Sequence, residues 1–379
     1  MKTIYIYTPH WATFGGGEKY VLIFAEVLSQ LPGVNVILLS DQQTIQRYQL
    51  EQFFRVDLSK IGYQKFHHRN EIQEIAEKAD FLVCLSNVRT VRSSARKHIQ
   101  LLQIPYGKIG ISTMLTKFIK GRVKESLKDI LRLSLLKFSR EKADLVITNS
   151  QFVQNTLFHN YGIRSEVLYP PIQDFLQEGI QKRKIILSVG RFFTGLYNDK
   201  RYDILTEAFR KLYGSNLDGW EYHITGSAVE DGATRRLLQN LKDQNRNHPV
   251  QFHINESYET LRRLYNEASI FWHAAGFGVD ETLYPENVEH FGMTTVEAMS
   301  AGCIPIVISK GGQREIITDG VNGFLWETVE ELVTRTFEVI KDNDNNSLNR
   351  VRMNARKRFQ DFSVERFKES AIKIFTKIL

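Results

Sequence analysis

The sequence predicts an α/β protein made of two doubly wound, Rossmann-like domains with parallel sheets. Three observations carry that expectation. A chain of 379 residues exceeds what one ordinary core encloses and suits two domains. Short β-branched and aromatic runs alternate with helical stretches from the N-terminus onward, the pattern of repeated βα units. After the stiff Pro170–Pro171 step, the same alternation starts again at KIILSVGRF (184–192). The expected domains are 1–172 and 173–360, with a C-terminal helix over 361–379.

TIYIYT (3–8) is the first buried strand, ending at Pro9. The loop HWATFGGGEKY leads into the amphipathic helix VLIFAEVLSQL. Gly15, Gly16 and Gly17 let backbone approach a ligand, and a helix start offers N–H groups to an anion. GGGE has neither the GxGxxG spacing of a dinucleotide site nor the GK[ST] ending of an ATP site. A glycine turn without a ligand is the alternative. Further strands follow at 34–40, 80–86, 98–104 and 144–150, with Ser150 placed to cap the helix of NSQFVQNTL. The segment 166–172 closes the first domain, and the polar stretch behind it serves as a hinge.

Residues 116–142 hold nine Lys or Arg against three acidic residues. Ile119, Val123, Leu127, Ile130, Leu131 and Leu135 recur there at helical spacing. The segment reads either as a basic amphipathic surface for an anionic membrane or as a domain helix with a solvated basic face.

In the second half, the strand ending at Gly190–Arg191 is followed by a polar loop carrying Lys200 and then by a helix. Strands at 220–227, 250–257 and 269–278 come next, the last running into a small-residue loop. Residues 276–288 form an acidic loop, and GGQREIITDGVNGFLW (311–326) reads as a helix and a terminal strand.

Composition bounds the function. Apolar content of 42% and charged content of 25% are those of a globular protein. No run reaches the roughly 18 apolar residues of a membrane span, and MKTIYIYTPH reads as a strand rather than a signal peptide. Cys84 and Cys303 read as separate buried thiols, neither a disulfide nor a metal site. A net charge of +7 fits an anionic partner such as a nucleotide or a phospholipid surface, and the absence of any RNA or DNA module argues against nucleic acid. Asp342 and Asp344, in DNDNN, form the sole DxD and read as a surface turn.

The most informative stretch is EHFGMTTVEAMSAGCIPIVI (289–308). Glu289 and Glu297 lie eight positions apart, about 80° beyond two helical turns, so they do not share one helix face. Glu289 is therefore expected in the loop and Glu297 in the first turns of a helix that begins near Met293. That places the N–H groups of residues 292–295 at a helix start, where an anionic group such as a phosphate is favoured. The two carboxylates then accept hydroxyls on either side. Arg191 and Lys200, both cationic at neutral pH, are the candidates to stabilise a diphosphate.

EHFGMTTVE resembles the E-x7-E signature of retaining glycosyltransferases of family 4, which have the GT-B fold. GGGE, the Arg191/Lys200 pair, the AGC-PIV strand and GGQREII fit the same family at the expected distances. The resemblance implies two Rossmann-like domains facing a central cleft, with the last helix crossing back to the N-terminal domain. It implies transfer of a hexose from a GDP- or UDP-linked sugar to a glycan or lipid-linked acceptor, in polysaccharide or glycolipid synthesis, at a cytoplasmic or peripheral membrane location.

Under that resemblance Arg191, Lys200 and Glu289 are the catalytic residues, and no metal or cofactor is expected. Donor binding falls to the same three together with Gly16, Gly17, His273, Phe291, Gly292, Met293, Thr294 and Glu297, with Glu297 on the ribose. Gln103 occupies the place of a His-x-Pro found in many members, and Tyr106 stands beside it. Both are candidate sugar or acceptor contacts. Gln is neither acid nor base, and this departure keeps open a binding-only relative. A nucleotide-sugar epimerase on the same frame is the other alternative.

Overall fold

The alternation of β-branched strands and amphipathic helices resolves into two units: Met1–Pro171 with Val364–Leu379, and Ile172–Ser363. The computed structural model describes residues 1–378 apart from 10, 12–14, 41–46, 89–90, 92–93, 120–121, 193–198, 215–218 and 342–345. Side chains at 53, 69, 111–113, 116 and 346–347 are likewise not described. The DxD read as a surface turn lies outside the described residues, as does most of the loop before Lys200.

The first unit carries β1 (Lys2–Tyr7), β2 (Val34–Ser40), β3 (Ile61–Lys65), β4 (Phe81–Leu85), β5 (Lys97–Leu102), β6 (Leu145–Thr148) and β7 (Glu166–Val167). They form one parallel sheet in the order β3-β2-β1-β4-β5-β6-β7. β3 is a strand the sequence reading did not include. Its IGYQK buries only Ile61 well, as an edge strand does. Ser150 caps the helix Gln151–Tyr161 by accepting from the Val153 N–H, and Gly162 ends it at φ +66°.

The helix Gly16–Ser29 buries Val21, Leu22, Phe24, Ala25 and Leu28 in the same core as Ile4 and Ile6 of β1. The C-terminal helix Val364–Thr376 joins that core. Its Phe367, Ala371, Ile374 and Phe375 recur at helical spacing and are buried. Phe367 meets Tyr20 and Phe24 edge-on at 5.2 and 6.4 Å, and Phe375 packs on Phe81 at 5.0 Å. The C-terminal segment is thus part of the first unit's core.

The second unit holds β8 (Arg183–Val189), β9 (Glu221–Gly226), β10 (Val250–Ile254), β11 (Ala268–His273), β12 (Ile304–Ile308) and β13 (Phe324–Trp326). They form a parallel sheet in the order β10-β9-β8-β11-β12-β13. Ile186, Tyr222, Ile270, Trp272, Ile304 and Ile306 fill its core. From β8 the chain runs outward to β9 and β10, then returns to place β11 on the other side of β8. That reversal is a topological switch point, where the loops after two neighbouring strands diverge and leave a crevice at the strand C-termini.

Candidate active site

The crevice of the second unit is built by the loops after β8 and β11. β8 ends at Val189, and Gly190 follows. Lys200 folds back over that glycine, since a Cβ there would lie 2.7 Å from Lys200 Cγ and 2.9 Å from its Cε. Gly190 is itself held by Gly226 at the end of β9, where a Cβ would fall 1.7 Å from the Gly190 carbonyl oxygen. Arg201, next in the chain, anchors the same segment. Its Nη1 donates to the Phe277 carbonyl at 2.7 Å, and the guanidinium lies over the Phe277 ring.

Glu289 receives two donors on one oxygen. Lys200 Nζ donates to Oε2 at 2.6 Å, and His273 Nε2, from the last residue of β11, reaches the same atom at 3.0 Å. Among the described residues Oε1 accepts no protein hydrogen bond. The carboxylate is 13% exposed and the Lys200 side chain 16%. Burial opposes ionisation of Glu289, but the Lys200 charge and the His273 hydrogen bond outweigh it and hold the carboxyl far below its ordinary range. Burial likewise lowers the His273 pKa, against the Glu289 hydrogen bond that raises it. The imidazole is therefore neutral and places its proton on Nε2, facing an acceptor-only carboxylate. Arg191 is exposed at the end of β8 and forms no ion pair among the described residues.

The helix Met293–Ser300 starts where the residue spacing puts it. Gly292, at φ +122°, is its N-cap and offers no side chain to satisfy the first N–H groups. A Cβ on Gly292 would stand 2.9 Å from Gln313 Nε2 and 3.0 Å from Ile316 Cδ1. The Gly311–Gly312 turn after β12 clamps the preceding loop. Gly312 donates its N–H to the Glu289 carbonyl at 2.9 Å, and a Cβ there would lie 2.5 Å from Phe291 Cα. A Cβ on Gly311 would lie 2.2 Å from that same Glu289 carbonyl oxygen. Glu281 supports the turn by accepting from the Gly311 N–H at 2.8 Å and pairing with Arg314. Part of the acidic loop therefore braces this turn.

Phe291 is buried, whereas Met293 and Thr294 are partly open at the helix start. Glu297, one turn in, accepts from the buried Tyr265 hydroxyl at 2.9 Å. The structure thus assembles Lys200, His273, Glu289, Phe291–Thr294 and Glu297 within one unit. Gly16 and Gly17 belong to the first unit, at the start of the helix after β1. Gln103 lies close by, its Oε1 3.3 Å from where a Gly17 Cβ would be. Tyr106 is buried, its hydroxyl bonded to the Asn87 carbonyl and its ring under Arg132. Sequence reasoning missed Gly190, Tyr265 and the bracing by Glu281. Only the paired glycines of GGQREII carried a sign of the clamp.

Two doubly wound parallel units, the second with a carboxylate–lysine–histidine cluster at its switch point, have the architecture of the GT-B fold. Residues 173–358 match the family model described as glycosyl transferases group 1. Among curated relatives, a GDP-Man:Man(3)GlcNAc(2)-PP-Dol alpha-1,2-mannosyltransferase of Mus musculus is 26% identical over 260 residues, covering 62% of this chain and 49% of that protein. The alpha-1,3/1,6-mannosyltransferase ALG2 of Homo sapiens is 27% identical over 203 residues, covering 49% of this chain and 47% of that protein. The chain spans about half the length of the curated relatives it matches. Anabaena Alr3699/HepE, solved with UDP and glucose, aligns over 100% of both chains with a TM-score of 0.69 and 16% identity. Sucrose-phosphate synthase of Thermosynechococcus elongatus aligns over 100% of this chain and 99% of its own with a TM-score of 0.68 and 17% identity. At those identities the likeness is one of fold.

Proposed function

We propose that this chain is a retaining, family 4 hexosyltransferase that moves a sugar from a nucleotide diphosphate to a glycan or lipid-linked acceptor. GDP-mannose is the first donor to test, because curated relatives carry mannosyltransferase names, one of them with GDP-Man as donor. UDP-linked sugars are the second, because the HepE structure was solved with UDP. One observation carries the reading: Glu289 is held as a buried anion by Lys200 and His273, with Oε1 left open beside the uncapped start of Met293–Ser300.

In this reading Glu289 Oε1 accepts sugar hydroxyls, and the open N–H groups near Gly292 meet the diphosphate. Glu297, oriented by Tyr265, accepts the ribose hydroxyls. The bond from the anomeric carbon to the diphosphate breaks, and a bond to the acceptor oxygen forms on the same face. The acceptor proton passes to the leaving phosphate, while Arg191 and Lys200 stabilise the charge that develops there. Gly16, Gly17, Gln103 and Tyr106 are kept as proposed sugar or acceptor contacts. No metal is assigned a role. The proposed setting is polysaccharide or glycolipid synthesis at the cytoplasmic face of a membrane. Among the described residues no helix is long and apolar enough to cross one.

The test is a thermal-shift screen of the EDTA-treated chain with GDP, UDP, ADP and their common sugars, repeated on Glu297→Ala and Lys200→Ala. The expected result is stabilisation of the parent chain by one nucleotide class and its loss in both variants. A shift that requires added divalent metal, or that survives in both variants, overturns the reading.

A further inference from the structure

The helices Ile111–Ile119 and Val123–Glu141 pack on each other and, among the described residues, leave large apolar side chains exposed on both. They are joined on the inner side. Lys117 Nζ reaches Asp129 at 2.5 Å, Arg132 meets the same buried carboxylate at 2.9 Å, and Ser126 Oγ donates to the Met114 carbonyl at 3.2 Å. Ser126, Asp129, Leu135, Leu136 and Ser139 face inward and are buried. Val123, Leu127 and Ile130 recur at positions i, i+4 and i+7, on the side of the helix opposite those residues.

These three are 41%, 54% and 52% exposed, and on the partner helix Leu115, Phe118 and Ile119 are 56%, 58% and 82% exposed. Six large apolar side chains exposed on two helices that pack on each other mark a surface with a partner. Arg122, Lys124, Lys128 and Lys137 are exposed on the second helix. Glu125, near the apolar stripe, is paired with Arg122.

We propose that this helix pair is a membrane-docking wedge, with Phe118, Ile119 and Leu127 entering the acyl boundary of an anionic bilayer and Lys124 and Lys128 meeting its headgroups. Charge decides the occupant. An apolar stripe on a helix crowded with lysines matches a surface that is greasy within and negative above. The inference deepens the proposed function, resting on it only for the idea that the acceptor is lipid-linked.

The test is co-sedimentation of the full chain with phosphatidylcholine vesicles, with and without phosphatidylglycerol. The expected result is binding to the anionic vesicles. It falls about tenfold or more in a Phe118→Ser, Ile119→Ser, Leu127→Ser variant, and its dependence on phosphatidylglycerol disappears in Lys124→Glu, Lys128→Glu. The nucleotide-induced thermal shift is read on the same samples and stays unchanged in both variants, which shows that they fold. Vesicle binding equal in parent and serine variant overturns the proposal. So does a parent chain that stays in the supernatant, or one that is a dimer in analytical ultracentrifugation and becomes a monomer in the serine variant, which assigns the face to a second copy. Vesicle binding that persists while no nucleotide shifts the melt refutes the glycosyltransferase reading and leaves the docking face standing.

Discussion

Replacing Lys200 with alanine removes the cation that keeps Glu289 ionised in a buried place. At 2.6 Å and an effective dielectric of about 20, the pair's gross attraction is about 6 kcal/mol. Little of that is net, because both groups lose water on folding. Without Lys200 the Glu289 carboxylate keeps only the neutral His273 as a donor, and its cheapest escape is to take up a proton. At neutral pH, protonating a carboxyl of ordinary pKa 4.5 costs about 3 kcal/mol. Lys200→Ala is therefore expected to destabilise the second unit by about 3 kcal/mol at neutral pH. In melting temperature that is about 6–12 °C for a unit of this size.

The pH dependence follows from the sign of each shift. In the parent chain the Glu289 pKa is depressed on folding, so its contribution is present above the unfolded value and is lost as pH falls toward the folded one. In the variant, burial without the cation raises it, so the deficit is full at neutral pH and shrinks as pH falls toward 4.5. The assay is a denaturant melt followed by tryptophan fluorescence, at neutral pH and in acetate buffer. Trp220, Trp272 and Trp326 lie in the second unit and Trp11 alone in the first, so the signal reports mainly the unit under test. A loss below about 1 kcal/mol, or one of equal size at both pH values, would refute the claim that a buried ion pair organises this site.

Two further substitutions separate site geometry from fold. Gly190→Ala puts a methyl where Lys200 crosses the strand end, and is expected to cost about 1–3 kcal/mol and to abolish the nucleotide-induced thermal shift. An unchanged shift would show that Lys200 does not need that path. Phe367→Ala removes the ring that packs on Tyr20 and Phe24, and is expected to cost about 3–5 kcal/mol. The loss should appear in hydrogen exchange of the helix Gly16–Ser29 and leave the amides of β8 and β11 unchanged.

The sequence by itself determined the parallel α/β architecture, because β-branched runs such as VNVILLS and IPIVI and the amphipathic segments between them carry their own periodicity. It also located the start of the helix Met293–Ser300. A glycine before an apolar helical pattern is a local signal, and the eight-residue offset of the two glutamates is incompatible with one face. It did not reveal β3, since an edge strand with a glycine and exposed polar residues lacks the alternation that marks a half-buried one.

Tertiary structure decided everything that depends on strands meeting out of order. Lys200 and Glu289 stand 89 positions apart, and they meet because β11 returns to lie beside β8 and opens the crevice between their loops. Only then does His273 reach the same carboxylate oxygen as Lys200, and only then do Gly311 and Gly312 press on the loop that carries Glu289. The depressed carboxylate, the neutral histidine and the open Oε1 come from burial and from three-dimensional neighbours. No local spacing encodes them.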